Sequence, residues 1–177
     1  MFDDSDIKIA SGPIIKKQNH IDPDVDVLTP EQVKSSKLLG ANIAERFIES
    51  VNTAFSDDAE DTQLHLQRQL LLSFTVSVSL DEYCINDTVS GICEKSFLDT
   101  IKKKSPEIYN TCTDTGSFSF YYLAYRRQND TERRIGQTFA MLCSHDGDPI
   151  YQELGEALYC WFASIVKKET EKLKLNK

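Results

Sequence analysis

The residues best suited to chemistry lie between 115 and 137, in the string TGSFSFYYLAYRRQNDTERRIGQ. Five aromatic residues fall within the eight positions from Phe118 to Tyr125. Arg126, Arg127, Arg133 and Arg134, four of the six arginines in the chain, follow directly. Rings beside guanidiniums can stack on bases, grip an anion or anchor a partner protein. A pocket reading would use Tyr121, Tyr122, Tyr125 and Arg126 as walls, with His145 as a further polar group. A nucleic-acid reading would use Arg126, Arg127, Arg133 and Arg134 against phosphates, but Asp130 and Glu132 interrupt that run and no lysine reinforces it. Stacking also needs rings that face solvent. The favoured reading of the segment is therefore a core helix whose arginines emerge into water at its end.

Other motifs are incomplete. Asp22, Asp24 and Asp26 match the first positions of a calcium loop, but Val27 stands where the turn wants glycine and Val33 where the bidentate glutamate belongs. Residues 136–156 have a helix-turn-helix rhythm, yet the second helix carries Asp148, Glu153 and Glu156 and no base before Lys167, which opposes DNA. His145 and Asp146 supply two groups where a metal takes three or four ligands. Asp61 and His65 are one helical turn apart, a spacing also common by chance. Cys143 lies two residues before His145, but its phase with Ile135, Phe139 and Leu142 points to the core rather than to a nucleophile. The chain has no GxGxxG and no GxxxxGK[ST], so those two phosphate-cradling loops are absent. No metal, cofactor or catalytic set is expected, and an enzymatic role is disfavoured.

Composition narrows the class. The formal charge is -8, and residues 1–62 carry nearly all of it, with thirteen acids against six bases. That third of the chain would repel nucleic acid and anionic lipid. Seven glycines and five prolines in 177 residues are too few for a turn-rich all-β fold. The N-terminal MFDDSDIKIA has neither the basic start nor the apolar run of a secretory signal, and no stretch is long and apolar enough to span a membrane. Five dispersed cysteines without a CxxC pair fit reduced thiols in a cytoplasmic protein.

The elements that must position the aromatic–arginine segment are predicted as helices. Residues 1–28, with Gly12-Pro13 and Asp22-Pro23, read as an extended acidic arm. Ile7, Ile9, Ile14 and Ile15 would be its anchors if it docks. Residues 29–177 form the helical domain. Thr29-Pro30-Glu31-Gln32 is a cap, a first-turn proline and a capping-box partner, and the helix it opens carries Ala44, Phe47, Ile48, Val51 and Phe55 on one face. After a break at residues 56–61, Leu64, Leu70, Leu71, Phe74, Val78 and the segment to Cys84 read as a buried helix, although SFTVSVSL alternates like a strand. A third covers about 87–104, with Val89, Ile92, Cys93, Phe97 and Ile101 on one face and three lysines at its end. Ser105-Pro106-Glu107 is another start signal. Asp148-Pro149 opens the last helix, which reaches about Leu173 with a stripe of Ile150, Leu154, Ala157, Leu158, Trp161, Phe162 and Ile165. On a wheel, Phe118, Tyr121, Tyr122 and Tyr125 share one arc and Phe120, Leu123 and Ala124 the opposite one, which describes a central helix buried all round.

The expected fold is an all-α single-domain bundle of about five to six helices with an extended N-terminal arm. The alternative is α+β, with a hairpin around residues 117–142. The expected role is non-enzymatic, as a protein-interaction or self-associating module. A small-molecule-binding or enzymatic helical domain is the second reading, and weak nucleic-acid binding the third.

Overall fold

The computed structural model describes residues 28–53, 62–113, 115–127 and 129–177. The expected arm and its isoleucines, the calcium-like Asp22–Asp26 run, Phe55, Asp61 and His20 all lie outside the described residues. Among those described, the chain forms seven helices: α1 (Pro30–Thr53), α2 (Thr62–Tyr83), α3 (Asp87–Lys104), α4 (Pro106–Cys112), α5 (Thr115–Tyr125), α6 (Thr131–Leu142) and α7 (Pro149–Lys172). The protein is all-α. The count exceeds the expected five to six, with the seven-residue α4 standing as a helix of its own. The hairpin alternative is not adopted: residues 117–142 hold α5, a short connection and α6, with Asp130 turning the chain at φ 54°.

The start signals work as their chemistry dictates. Thr29 Oγ1 accepts from Gln32 N–H at 3.2 Å, and Gln32 Oε1 accepts from Thr29 N–H at 2.9 Å, a reciprocal capping box. Asn86 caps α3 by accepting from Val89 N–H at 2.9 Å. Asp148 caps α7 through Ile150 N–H at 2.9 Å, with Pro149 in the first turn. Ser105 precedes α4 as expected, but its side chain makes no capping bond. α7 ends at Lys172, one residue short of the expected Leu173, and α6 ends at Leu142. Both close in a Schellman arrangement without glycine. Ser144 (φ 63°) and Lys174 (φ 54°) take the left-handed position, and His145 N–H and Leu175 N–H reach back to the carbonyls of Ala140 and Thr170.

Two apolar clusters make the core, and α2 belongs to both. Leu72, Val76, Leu80 and Cys84 join Phe47, Phe97, Ile101, Phe162 and Val166 in the larger one. Leu71, Phe74 and Val78 join Tyr121, Ile135, Phe139 and Tyr159 in the smaller. A helix with cores on two sides needs apolar residues nearly all round, which is why α2 reads as a continuous apolar run. Its strand-like serine and threonine alternation is accommodated by hydroxyls returned to nearby acceptors: Thr75 to Leu71 O at 2.8 Å, Ser77 to Glu94 Oε1 at 2.8 Å. Burial on both faces overrides the local β preference.

Close helix crossings rest on glycines. A Cβ on Gly40 would collide with Cys93 O of α3; one on Gly136 would collide with Gln152 O of α7; one on Gly155 would strike Phe139 of α6. α1 and α3 run in the same direction, since Lys37 O accepts from Ser96 Oγ at 2.7 Å and Glu45 pairs with Lys104 at 2.6 Å. The residues after α7 fold back along the α2–α3 connection. Ile85 N–H donates to Leu175 O at 2.8 Å and Lys177 N–H to Tyr83 O at 3.0 Å, while Leu175 is buried in the larger cluster.

Two packing expectations are corrected. α5 is not central: Phe120 is 49 % and Leu123 62 % exposed, because α2 and α6 cover one side of it and nothing among the described residues covers the other. The stripe on α7 is rotated from the expected one. Ile150 is 73 % exposed and Trp161 44 %, while Gly155, Tyr159, Phe162 and Val166 face inward. The close approach at Gly155 sets that rotation, since α6 can seat Phe139 only against a residue without a side chain.

Candidate interaction surface around α5

The inward arc of α5 is the one the wheel predicts. Four of its rings surround Phe74 of α2. Tyr121 stacks on it at 5.4 Å, while Phe118, Tyr122 and Tyr125 meet it edge-on at 6.1, 5.1 and 6.2 Å between centroids. Edge-to-face and offset contacts of this kind are the favoured arrangements for aromatic quadrupoles. The expected aromatic platform is thus largely spent on packing. Tyr121 is fully buried, and its hydroxyl has no hydrogen-bond partner among the described residues. Burial holds that phenol well above its ordinary pKa.

The other candidates separate around this anchor. Tyr125 donates to Glu82 Oε2 at 3.4 Å, and burial followed by the charge of Glu82 raises its pKa. Arg126 stands with Glu82, Glu132, Tyr125 and Tyr159 around an open depression of about 570 Å³. Its positive charge therefore meets local carboxylates rather than a basic field. Arg127 is exposed and Arg133 is exposed, while Arg134 is half-buried and donates from Nε to Asn129 O at 2.9 Å. His145 is stacked on Tyr151 at 3.7 Å with the rings 8° from parallel. It joins none of the tyrosines expected beside it. Tyr121, Tyr122, Tyr125, Arg126 and His145 do not line one common cavity among the described residues; they occupy the core, two separate depressions and the α6–α7 connection.

Instead, α5 forms a ridge with a depression on each flank. Toward α3 and α4 lies a mostly apolar groove of about 910 Å³, bordered by Leu98, Phe118, Tyr122 and Leu123, with Glu94 and Arg126 as its charged groups. It exists because α5 packs on α2 and α6 but does not approach α3 or α4 among the described residues. Toward α6 lies a smaller pocket of about 280 Å³ that Phe120, Leu123, Arg127, Arg134 and Met141 help to line. Leu123 borders both. Sequence reasoning missed Phe120, Leu123 and Met141 as surface residues. The available signal was the apolar second arc of α5, which an uncovered edge helix shows as well as a central one.

Cys84, Cys93, Cys112 and Cys143 are buried and Cys160 is exposed, and all five are reduced. No helix among the described residues is long and apolar enough to cross a membrane, and no group of three metal-ligating side chains occurs among them. Comparison with protein-family models, with curated proteins and with solved structures finds no match to this chain.

Proposed function

We propose that the chain is a non-enzymatic interaction module that self-associates through the α5 ridge. The observation that carries this reading is the contiguity of a protruding apolar crest, Leu123 and Phe120, with an apolar groove of matching character beside it. A two-fold interface places the same patch on both sides, so the crest of one copy enters the groove of the other. Arg126 and Glu94 border the same groove, and a two-fold axis would set each against its opposite in the second copy. Exposed contiguous apolar surface of this kind marks an interaction site more often than a bare surface. The mostly buried, dispersed thiols suit a reducing compartment such as the cytoplasm.

Sedimentation of the full chain across rising concentration tests the reading. Dimer should accumulate with concentration, and Leu123→Glu should abolish it. Leu38→Glu, on α1, which does not contact α5, should leave it intact. A monomer at every concentration, or a dimer indifferent to Leu123→Glu, refutes the proposal.

A further inference from the structure

The pocket on the other flank of α5 is built differently from the groove. Phe120, Leu123 and Met141 supply apolar walls and are 49, 62 and 42 % exposed. Arg127, Arg134 and Gln137 bring hydrogen-bond donors to the same space of about 280 Å³. Arg134 is already positioned, because its Nε is held by Asn129 O at 2.9 Å. Its four Nη hydrogens make no hydrogen bond among the described residues and lie in a fixed plane, the geometry that suits a carboxylate. Asp146, from the α6–α7 connection, adds one carboxylate to the lining. Two guanidiniums against one carboxylate leave a single positive charge to be neutralised.

We propose that this pocket binds an apolar group bearing one carboxylate. The walls take the apolar body, and Arg127 and Arg134 take the acid. A phosphate dianion fits less well, since it has no apolar body and would bring excess negative charge toward Asp146. The same chemistry comes from two sources, a free aryl or alkyl acid and the C-terminal apolar residue of a peptide. Phe120 and Leu123 also form the crest proposed for self-association, so the titration is run at a concentration where the chain is monomeric, and heat rather than mass reads the acid.

Calorimetric titration of the full chain tests it with 3-phenylpropanoate, its neutral amide, inorganic phosphate, and a short peptide ending in phenylalanine as free acid or as amide. The expected result is saturable binding of the acids at one site per chain. The amides should bind about tenfold more weakly, as loss of a charge-assisted hydrogen bond implies. R127Q and R134Q should each weaken the acids by about the same factor. D146N should tighten them, and R133Q should change nothing. Arg127 is exposed, so R127Q keeps the fold even if R134Q disturbs the turn at Asn129. Tighter binding of the free-acid peptide identifies a chain terminus as the source, and tighter binding of 3-phenylpropanoate identifies a free acid. No saturable binding of either acid overturns the proposal. So does phosphate binding more tightly than 3-phenylpropanoate, or a double R127Q/R134Q variant that binds as the parent does.

Discussion

Tyr121 shows how far a single residue could be read from its neighbours. The helical wheel places it on one arc with Phe118, Tyr122 and Tyr125, and that arc is the one that packs. The wheel cannot name Phe74, the shared partner of all four rings, because nothing local ties residue 74 to residue 121. Nor does it reveal that the Tyr121 hydroxyl lacks a partner among the described residues. Burying an unpaired hydroxyl opposes folding, so Tyr121→Phe should stabilise the chain by about 1 kcal/mol in urea unfolding. A loss of stability would show that the hydroxyl is bonded after all. The thiols give a second residue-scale test. Cys143 reads correctly from its phase as a core residue, whereas the exposure of Cys160 depends on the rotation of α7. At pH 8 the folded chain should react with a thiol reagent at Cys160 first, and at the other four cysteines after unfolding. Burial pushes Cys112 from the ordinary 9.0 up to about 11, so its thiolate is scarce at that pH. A raised acid pKa favours the protonated folded form. The stability it contributes is whole below pH 9.0 and lost as pH climbs toward about 11. Rapid modification of Cys112 in the native chain at pH 8 would contradict its buried placement.

At the scale of elements, the caps at Thr29 and Asp148 and the inward faces of α1, α3 and α5 were legible, while the outer arc of α5 and the stripe of α7 were not. Thr29, Asp148 and Pro149 act through their own backbone neighbours, so a few consecutive residues contain the whole cause. The face that α7 presents depends on what α6 can receive, and that depends on Gly136 and Gly155 across the crossing. The glycines make this testable with one kind of substitution and two signs. Gly91 is exposed within α3 and an added Cβ meets nothing there, so Gly91→Ala should raise stability by about 0.5–1 kcal/mol through helix propensity. Gly155→Ala drives a Cβ into the Phe139 ring, and Gly136→Ala drives one into the Gln152 carbonyl. Each should lower stability by about 1–3 kcal/mol, the usual range for overpacking. Thermal unfolding of the three variants decides it. A neutral Gly155→Ala would mean that α6 and α7 are free to part, and the close crossing would then be wrong.

The whole molecule is organised by α2, whose two sides serve two clusters. That arrangement explains what the sequence could not show about the candidate site. The aromatic segment looks central because it is apolar all round, yet α2 already fills the centre. α5 is left at the edge with Phe120 and Leu123 outward, and the groove beside it follows from its lack of contact with α3 and α4. Sharing one helix also couples the clusters. Leu72 and Val76 face the larger cluster while Leu71 and Phe74 face the smaller, so neither can melt without exposing the other's side of α2. Unfolding should therefore be a single cooperative transition despite the divided core. Trp161, the lone tryptophan, sits against Phe162 in the larger cluster and reports on it by fluorescence. Far-ultraviolet circular dichroism reports on all seven helices. The two signals should share one denaturation midpoint. Phe74→Ala removes the ring at the centre of the smaller cluster and should lower stability by about 3–5 kcal/mol. Because the loss is global, it should shift the tryptophan midpoint as far as the helical one, although Phe74 is not part of the cluster around Phe162. A tryptophan transition that stays in place while the helical signal splits would show two independent halves, and α2 would not be the element that joins them.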